Sequence, residues 1–167
     1  MPLSNITVLG IDPGFAITGY GIIQKKRQDL SVLTYGVIKT KSTEPFDQRL
    51  KKLYQELERI IKTYRPEIVA IEELYFTNNA KTAIKVGQAR GVVVMTAALN
   101  NLPIKNYTPL QIKQALTSYG RADKQQMQRM IKQVLSLSNM PKPDDAADAL
   151  AVAYTCLQFL TSSYDNK

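Results

Sequence analysis

The sequence predicts an α/β domain built on one mixed sheet, an antiparallel meander followed by parallel strands, with helices on both faces. Three observations carry that expectation. Three β-rich runs near the N-terminus are joined by short turns, which suits antiparallel neighbours. Two later apolar runs are each preceded by a helix-length stretch, which suits parallel strands reached by crossovers. The rest of the chain, up to its end, reads as helices with recognisable caps.

The elements follow in order. Ile6, Thr7, Val8, Leu9 and Ile11 form an apolar, β-branched run over 5–12 that ends on Asp12 and is broken by Pro13-Gly14. AITGYGIIQ, from Ala16, reads as the second strand and LSVLTYGVIKT, from Leu30, as the third, with KKRQD as the hairpin tip between them. DQRLKKLYQELERIIKTY carries Leu50, Leu53, Tyr54, Leu57, Ile60, Ile61 and Tyr64 at helical spacing, and Pro66 stops it. EIVAIE is a short buried strand ending at Glu72. A helix is expected from about Asn79 to Asn100; its Gly87 and Gly91 each cost about 1 kcal/mol against alanine, so they are expected to admit a close backbone approach by another helix or a phosphate. PIKNY, from Pro103, reads as a strand. Thr108 before Pro109 fits an N-cap and N1, opening a helix that ends at Gly120. Asp123 and Gln126 have capping-box spacing for the next helix. DDAADALAVAYTCLQFL is the last helix. A single domain is expected over 1–160, with 161–167 as a frayed tail.

Composition narrows the function. The 167 residues carry a net charge of +8, which points to a polyanionic partner, nucleic acid or an anionic membrane face. No apolar run reaches the roughly 18–20 residues that span a bilayer, and no basic-then-apolar leader opens the chain. The single cysteine, Cys156, allows no internal disulfide, lies in an apolar helical run, and fits a reducing, cytoplasmic setting. There is no histidine. That removes Ser-His-Asp and Cys-His catalysis and leaves zinc poorly served. Any chemistry must come from carboxylates, lysines and hydroxyls, and clustered carboxylates favour hard ions such as Mg²⁺ or Mn²⁺.

Three acidic places stand out: Asp12 ending the first strand, Glu72 ending the fourth, and Asp145 with Asp148 one turn apart at the start of the last helix. Ligands of α/β sheets gather at strand carboxyl ends, and residues three apart share a helix face. If the last helix brings its N-terminus to those strand ends, four carboxylates converge and repel one another unless divalent cations fill the space. Each acid taken singly has an ordinary alternative. Asp12 would accept turn N–H groups, Glu72 would be a solvated strand end with Glu73 on the other face, and the acids at 144, 145 and 148 would cap the helix.

GIDPGFAITGYGI, AIEELYF, GQARGV and DDAADALAVA together resemble the RuvC Holliday-junction resolvases, in order and over nearly the whole chain. The resemblance implies a ribonuclease-H-like fold and a homodimer that nicks two opposed strands of a four-way DNA junction, in recombination and repair, beside the branch-migration proteins RuvA and RuvB. It implies Asp12, Glu72, Asp145 and Asp148 as catalytic ligands of two Mg²⁺, with Mn²⁺ as a substitute. The family sometimes has histidine at the position of Asp145. Two such ions would grip the scissile phosphate, activate water and stabilise the leaving oxygen. Lys113 and Lys124 match the family's basic residues, Lys113 as a catalytic group and Lys124 as a phosphate contact. An aromatic, Tyr75 or Phe76, is expected to stack at the crossover. Lys81, Lys85 and Arg90 are expected to meet the DNA backbone. Lys81 and Lys85 stand four apart, a like-charge spacing that a polyanion relieves.

Three other readings compete. A nuclease of the same fold would act on another nucleic acid such as RNA, but the matches beyond the acids argue against it. A non-cutting junction-binding module would have no use for four carboxylates facing a phosphate. A sugar-kinase-like ATPase needs two such domains, and the chain has room for one.

Overall fold

The computed structural model describes residues 5–73, 80–117 and 120–165. Strands β1 (Asn5–Asp12), β2 (Ile17–Lys26) and β3 (Asp29–Lys39) form the antiparallel meander, followed by α1 (Phe46–Tyr64), β4 (Ile68–Glu72), α2 (Ala80–Leu99) and β5 (Ile104–Tyr107). Helices α3 (Pro109–Thr117), α4 (Lys124–Val134) and α5 (Asp144–Asp165) complete the chain. The sheet order is β3-β2-β1-β4-β5, with β4 parallel to β1 and β5 parallel to β4. The expected α/β mixed sheet with helices on both faces is what the chain forms.

Strand alternation divides the core into two layers. Leu9, Ile11, Ile22, Val69 and Ile71 face α1 and α2. Val8, Ile23, Ile68 and Ala70 face the other way, against Ile112, Ile131 and the α5 residues Ala147, Leu150 and Ala153. Asp12 continues the Val8 parity and Glu72 the Ile68 parity, so both carboxylates belong to the α5 face.

Local chemistry sets most boundaries. The β2–β3 tip is tighter than the KKRQD link suggests, because both strands extend into it and leave Arg27 at φ 57° and Gln28 as the turn. Thr108 and Gln111 exchange hydrogen bonds at the head of α3, and Asp123 with Gln126 forms the expected capping box on α4. α5 continues through Asp165, past the expected end of the helix. Thr161 explains part of this, since its hydroxyl donates to the Leu157 carbonyl at 2.8 Å and accepts from Lys25 Nζ at 2.7 Å. Gly87 and Gly91 admit no close approach from within this chain: a Cβ on either would meet nothing of it within 4 Å, which leaves that face of α2 open.

Candidate metal-dependent nuclease site

The site is assembled where β1 and β4 end. Their ladder pairs Ile11 with Ile71, so the next residues, Asp12 and Glu72, leave the sheet side by side. The turn after Asp12 is tied down by Thr18, whose hydroxyl donates to the Gly14 carbonyl at 2.7 Å. Thr40 does the same for the Phe15 carbonyl at 2.9 Å. The end of β4 is held by the Glu73 N–H, which donates to the Tyr107 carbonyl at 2.8 Å.

α5 reaches this end of the sheet because β1 and β2 present glycines to it. A Cβ at Gly19 would fall on the carbonyl oxygen of Asp145, one at Gly10 on that of Ala149, and one at Gly21 only 2.8 Å from Leu150 Cδ2. Gly19 is the ladder partner of Asp12. The first turn of α5, with Asp145 and then Asp148, is therefore laid directly over the Asp12 pair.

Electrostatics registers the convergence. Burial pushes Asp12 up to about 8, reinforced by Glu72, then Asp148 and Asp145, with Lys124 pulling the other way. Burial, and then the charge of Asp148, pushes Glu72 up to about 7. Asp148 is also raised by burial, against the pull of Lys124. Among the described residues, no group of three or more acidic or thiol side chains is gathered tightly enough to hold an ion as it stands. The four acids share one field without forming a closed cage, as mutually repelling carboxylates would. An all-oxygen donor set, desolvated and self-repelling, fits a hard divalent cation.

Glu72 and Asp148 open into a pocket of about 250 Å³ that is also lined by Lys113, Asp123, Lys124 and Met127. Both predicted lysines therefore line the pocket that Glu72 and Asp148 open into, and Lys124 also pairs with the α5 acids. Lys124 Nζ lies 3.0 Å from Asp144 and 4.0 Å from Asp148. Asp144 also accepts from Gln128 Nε2 at 2.8 Å. Sequence reasoning treated Asp144 only as a helix cap; its role as the holder of Lys124 depends on α4 crossing near α5, for which the sequence carries no signal.

The remaining predicted contacts divide. Lys81 and Lys85 are exposed and line one pocket with Phe46, Ile84 and Gln88. Arg90 is set apart from that pair: its Nη2 donates to Asn106 Oδ1 of β5 at 2.8 Å, and its buried Nε has no partner among the described residues. Tyr75 and Phe76 lie outside the described residues. Cys156 is fully buried, its thiol pushed up by burial, consistent with a core role.

Comparisons with known proteins give the family and the fold. A family model described as crossover junction endodeoxyribonuclease RuvC matches residues 8–156. A protein of that name from Caldicellulosiruptor saccharolyticus is 58% identical over 147 residues, covering 87% of this chain and 89% of the relative. One from Alkaliphilus oremlandii is 58% identical over 146 residues, covering 87% and 89%. Thermus thermophilus RuvC in complex with a Holliday junction substrate superposes with a TM-score of 0.90 at 34% identity, over 95% of this chain and 96% of that one. The yeast mitochondrial resolvase Ydc2, at 16% identity and a TM-score of 0.68, shares the fold.

Proposed function

The chain belongs to the RuvC family of crossover junction endodeoxyribonucleases, and from that premise we propose that it resolves four-way DNA junctions by paired, symmetric phosphodiester hydrolysis. The observation that carries the reading is the meeting of Asp12, Glu72 and Asp148 in one electrostatic field, with Lys113 and Lys124 at the pocket's wall.

Asp12, Glu72, Asp145 and Asp148 are the residues that would hold two Mg²⁺ ions, with Mn²⁺ as a substitute. Bound ions supply Lewis acidity at the scissile phosphate. The chain's own residues do the rest. The carboxylates are held in a desolvated place where the attraction of a cation is strong. Lys113 and Lys124 offset negative charge on the phosphate as the bond breaks. Asp144 keeps the Lys124 ammonium at the rim, so that it can turn to DNA without leaving an unpaired buried charge. Tyr75 or Phe76 would stack on bases at the crossover, and Lys81, Lys85 and Arg90 would meet backbone phosphates.

A four-way junction has near two-fold symmetry, so a homodimer with two identical sites suits it. Met95 and Leu99 of α2 are large apolar side chains left exposed, at 51% and 63%. With Gly91 they mark one helical stripe, and the open space over Gly91 would let a second copy approach closely. Branch-migration proteins RuvA and RuvB and a cytoplasmic setting belong to the same reading. No helix among the described residues is long and apolar enough to cross a membrane.

The direct test offers the purified protein a labelled four-way junction, a matched duplex and an RNA–DNA hybrid, each with Mg²⁺ and with chelator. Symmetric nicks in the junction alone are expected, lost with chelator and reduced at least about a thousandfold in Asp12→Asn, in line with the loss of one transition-state contact of this kind. Preferential cutting of the hybrid would keep the fold and replace the substrate. Tight junction binding without cutting under any divalent ion would overturn the catalytic reading.

A further inference from the structure

A second pocket, of about 360 Å³, lies between the start of α1 and the first turns of α2, lined by Phe46, Lys81, Ile84, Lys85 and Gln88. It adjoins an aromatic–cation stack. The Phe15 ring lies 5.0 Å from Phe46 at an interplanar angle of 24°, with the Arg49 guanidinium 3.6 Å from its centroid and Lys85 Nζ 5.7 Å away. Arg49 is buried at 8% exposure and has no carboxylate partner among the described residues; it donates to Thr40 Oγ1 at 3.0 Å and to the Phe15 carbonyl at 3.4 Å. Asp47, the acid next to Phe46, accepts from Gln48 at 2.7 Å.

We propose that this pocket is a subsite for one unstacked nucleotide of the DNA strand whose scissile phosphate lies at Asp12, the base stacking on Phe46 and the flanking phosphates meeting Lys81 and Lys85. The inference rests on the resolvase reading and extends it to a place on the other face of the sheet. Phe15 follows Asp12 by three residues, across the Pro13-Gly14 turn, so a strand leaving the carboxylates over that turn arrives at the stack. An aromatic face, an apolar wall in Ile84, an amide in Gln88 and a local surplus of cations are the chemistry that holds single-stranded nucleic acid. Duplex DNA hides its base faces, whereas the base pairs flanking an opened four-way crossover lose a stacking neighbour that an aromatic ring can replace. Arg49 contributes from beneath: its cation against the Phe15 ring fixes the platform on which Phe46 rests.

The test measures binding in chelator, so that nothing is cut, to a four-way junction carrying 2-aminopurine next to the cleavage position. Phe46→Leu keeps apolar bulk and removes the ring; Phe46→Trp keeps a ring. Phe46→Leu is expected to lose about tenfold in junction affinity and to abolish the change in 2-aminopurine fluorescence, while Phe46→Trp stays within about twofold of the parent. Lys81→Ala together with Lys85→Ala is expected to lower affinity and reduce the salt slope by about two. Those lysines are exposed, so this pair tests the idea even if the Phe46 variants fold poorly. Parental affinity and fluorescence in Phe46→Leu, with junctions still cut normally, would overturn the subsite alone. So would a change in oligomeric state with unchanged DNA affinity per site, which would make the pocket a contact between copies. A parent protein that neither binds nor cuts junctions would overturn the resolvase reading itself.

Discussion

At the scale of single residues, Asp12 concentrates the conflict between stability and use. Its ordinary value is 3.8 and its value in the fold is about 8, mainly through burial and then through Glu72 and the α5 acids. Between those limits the folded protein keeps a proton that the unfolded chain has released, so the stability linked to it is complete at low pH and is lost as pH rises through about 8. Glu72, raised to about 7, acts in the same direction. Metal-free protein is therefore expected to melt on the order of 5–10 °C lower at pH 9 than at pH 5. Asp12→Asn removes the titrating group and should flatten that slope, melting above the parent at pH 9 in chelator. Thermal melts across pH check this, and a melting temperature that rises with pH in the parent would contradict it. The paired Lys124 and Asp144 are different in kind. Both are more than half exposed, so their bond contributes little to stability and matters for where the ammonium sits.

At the scale of elements, the decisive contact is α5 on the glycine-lined surface of β1 and β2. Ala146, Ala149 and Ala153 on the helix and Gly10, Gly19 and Gly21 on the strands are all small, which lets the backbones meet. A methyl group at Gly19 must displace the Asp145 carbonyl and with it the turn that carries Asp145 and Asp148. Gly19→Ala is expected to destabilise the fold by about 1–3 kcal/mol in urea unfolding. Its loss of Mg²⁺-dependent cutting should exceed what the unfolded fraction explains. Equal stability with full activity would mean that α5 tolerates a shift at the site.

At the scale of the whole molecule, the proposed contact between copies along α2 would decide whether two sites work together. Met95 is half exposed in the middle of that stripe. Met95→Glu places a charge at the proposed contact between copies, and sedimentation should then show a monomer. Junction cutting by that monomer is expected to lose the pairing of its two nicks, leaving singly nicked product to accumulate at least about tenfold over the parent; a dimer that persists would move the interface elsewhere. The net charge of +8 serves the same assembly, since it draws a polyanion from solution without choosing among DNA shapes. In the proposed dimer the choice of shape would belong to the spacing of two sites and to the surfaces beside them.

The sequence by itself determined the order of elements, the strand ends that carry Asp12 and Glu72, the helical pairing of Asp145 with Asp148, and the capping box at Asp123. These are local facts, governed by side-chain periodicity, turn chemistry and caps, and they survive folding because the tertiary structure agrees with them. The absence of histidine likewise limits the side-chain donors available to oxygen ligands and one thiol. What only the tertiary structure decided was proximity. Within this chain the close backbone approach falls at Gly10, Gly19 and Gly21, while Gly87 and Gly91 face open space. Asp144 looked like a cap and is the partner of Lys124. Arg90 is held at β5 by Asn106, apart from the pocket that Lys81 and Lys85 line. Glycine, aspartate and arginine serve several purposes at the same local pattern, and which purpose applies depends on residues dozens of positions away that packing brings alongside.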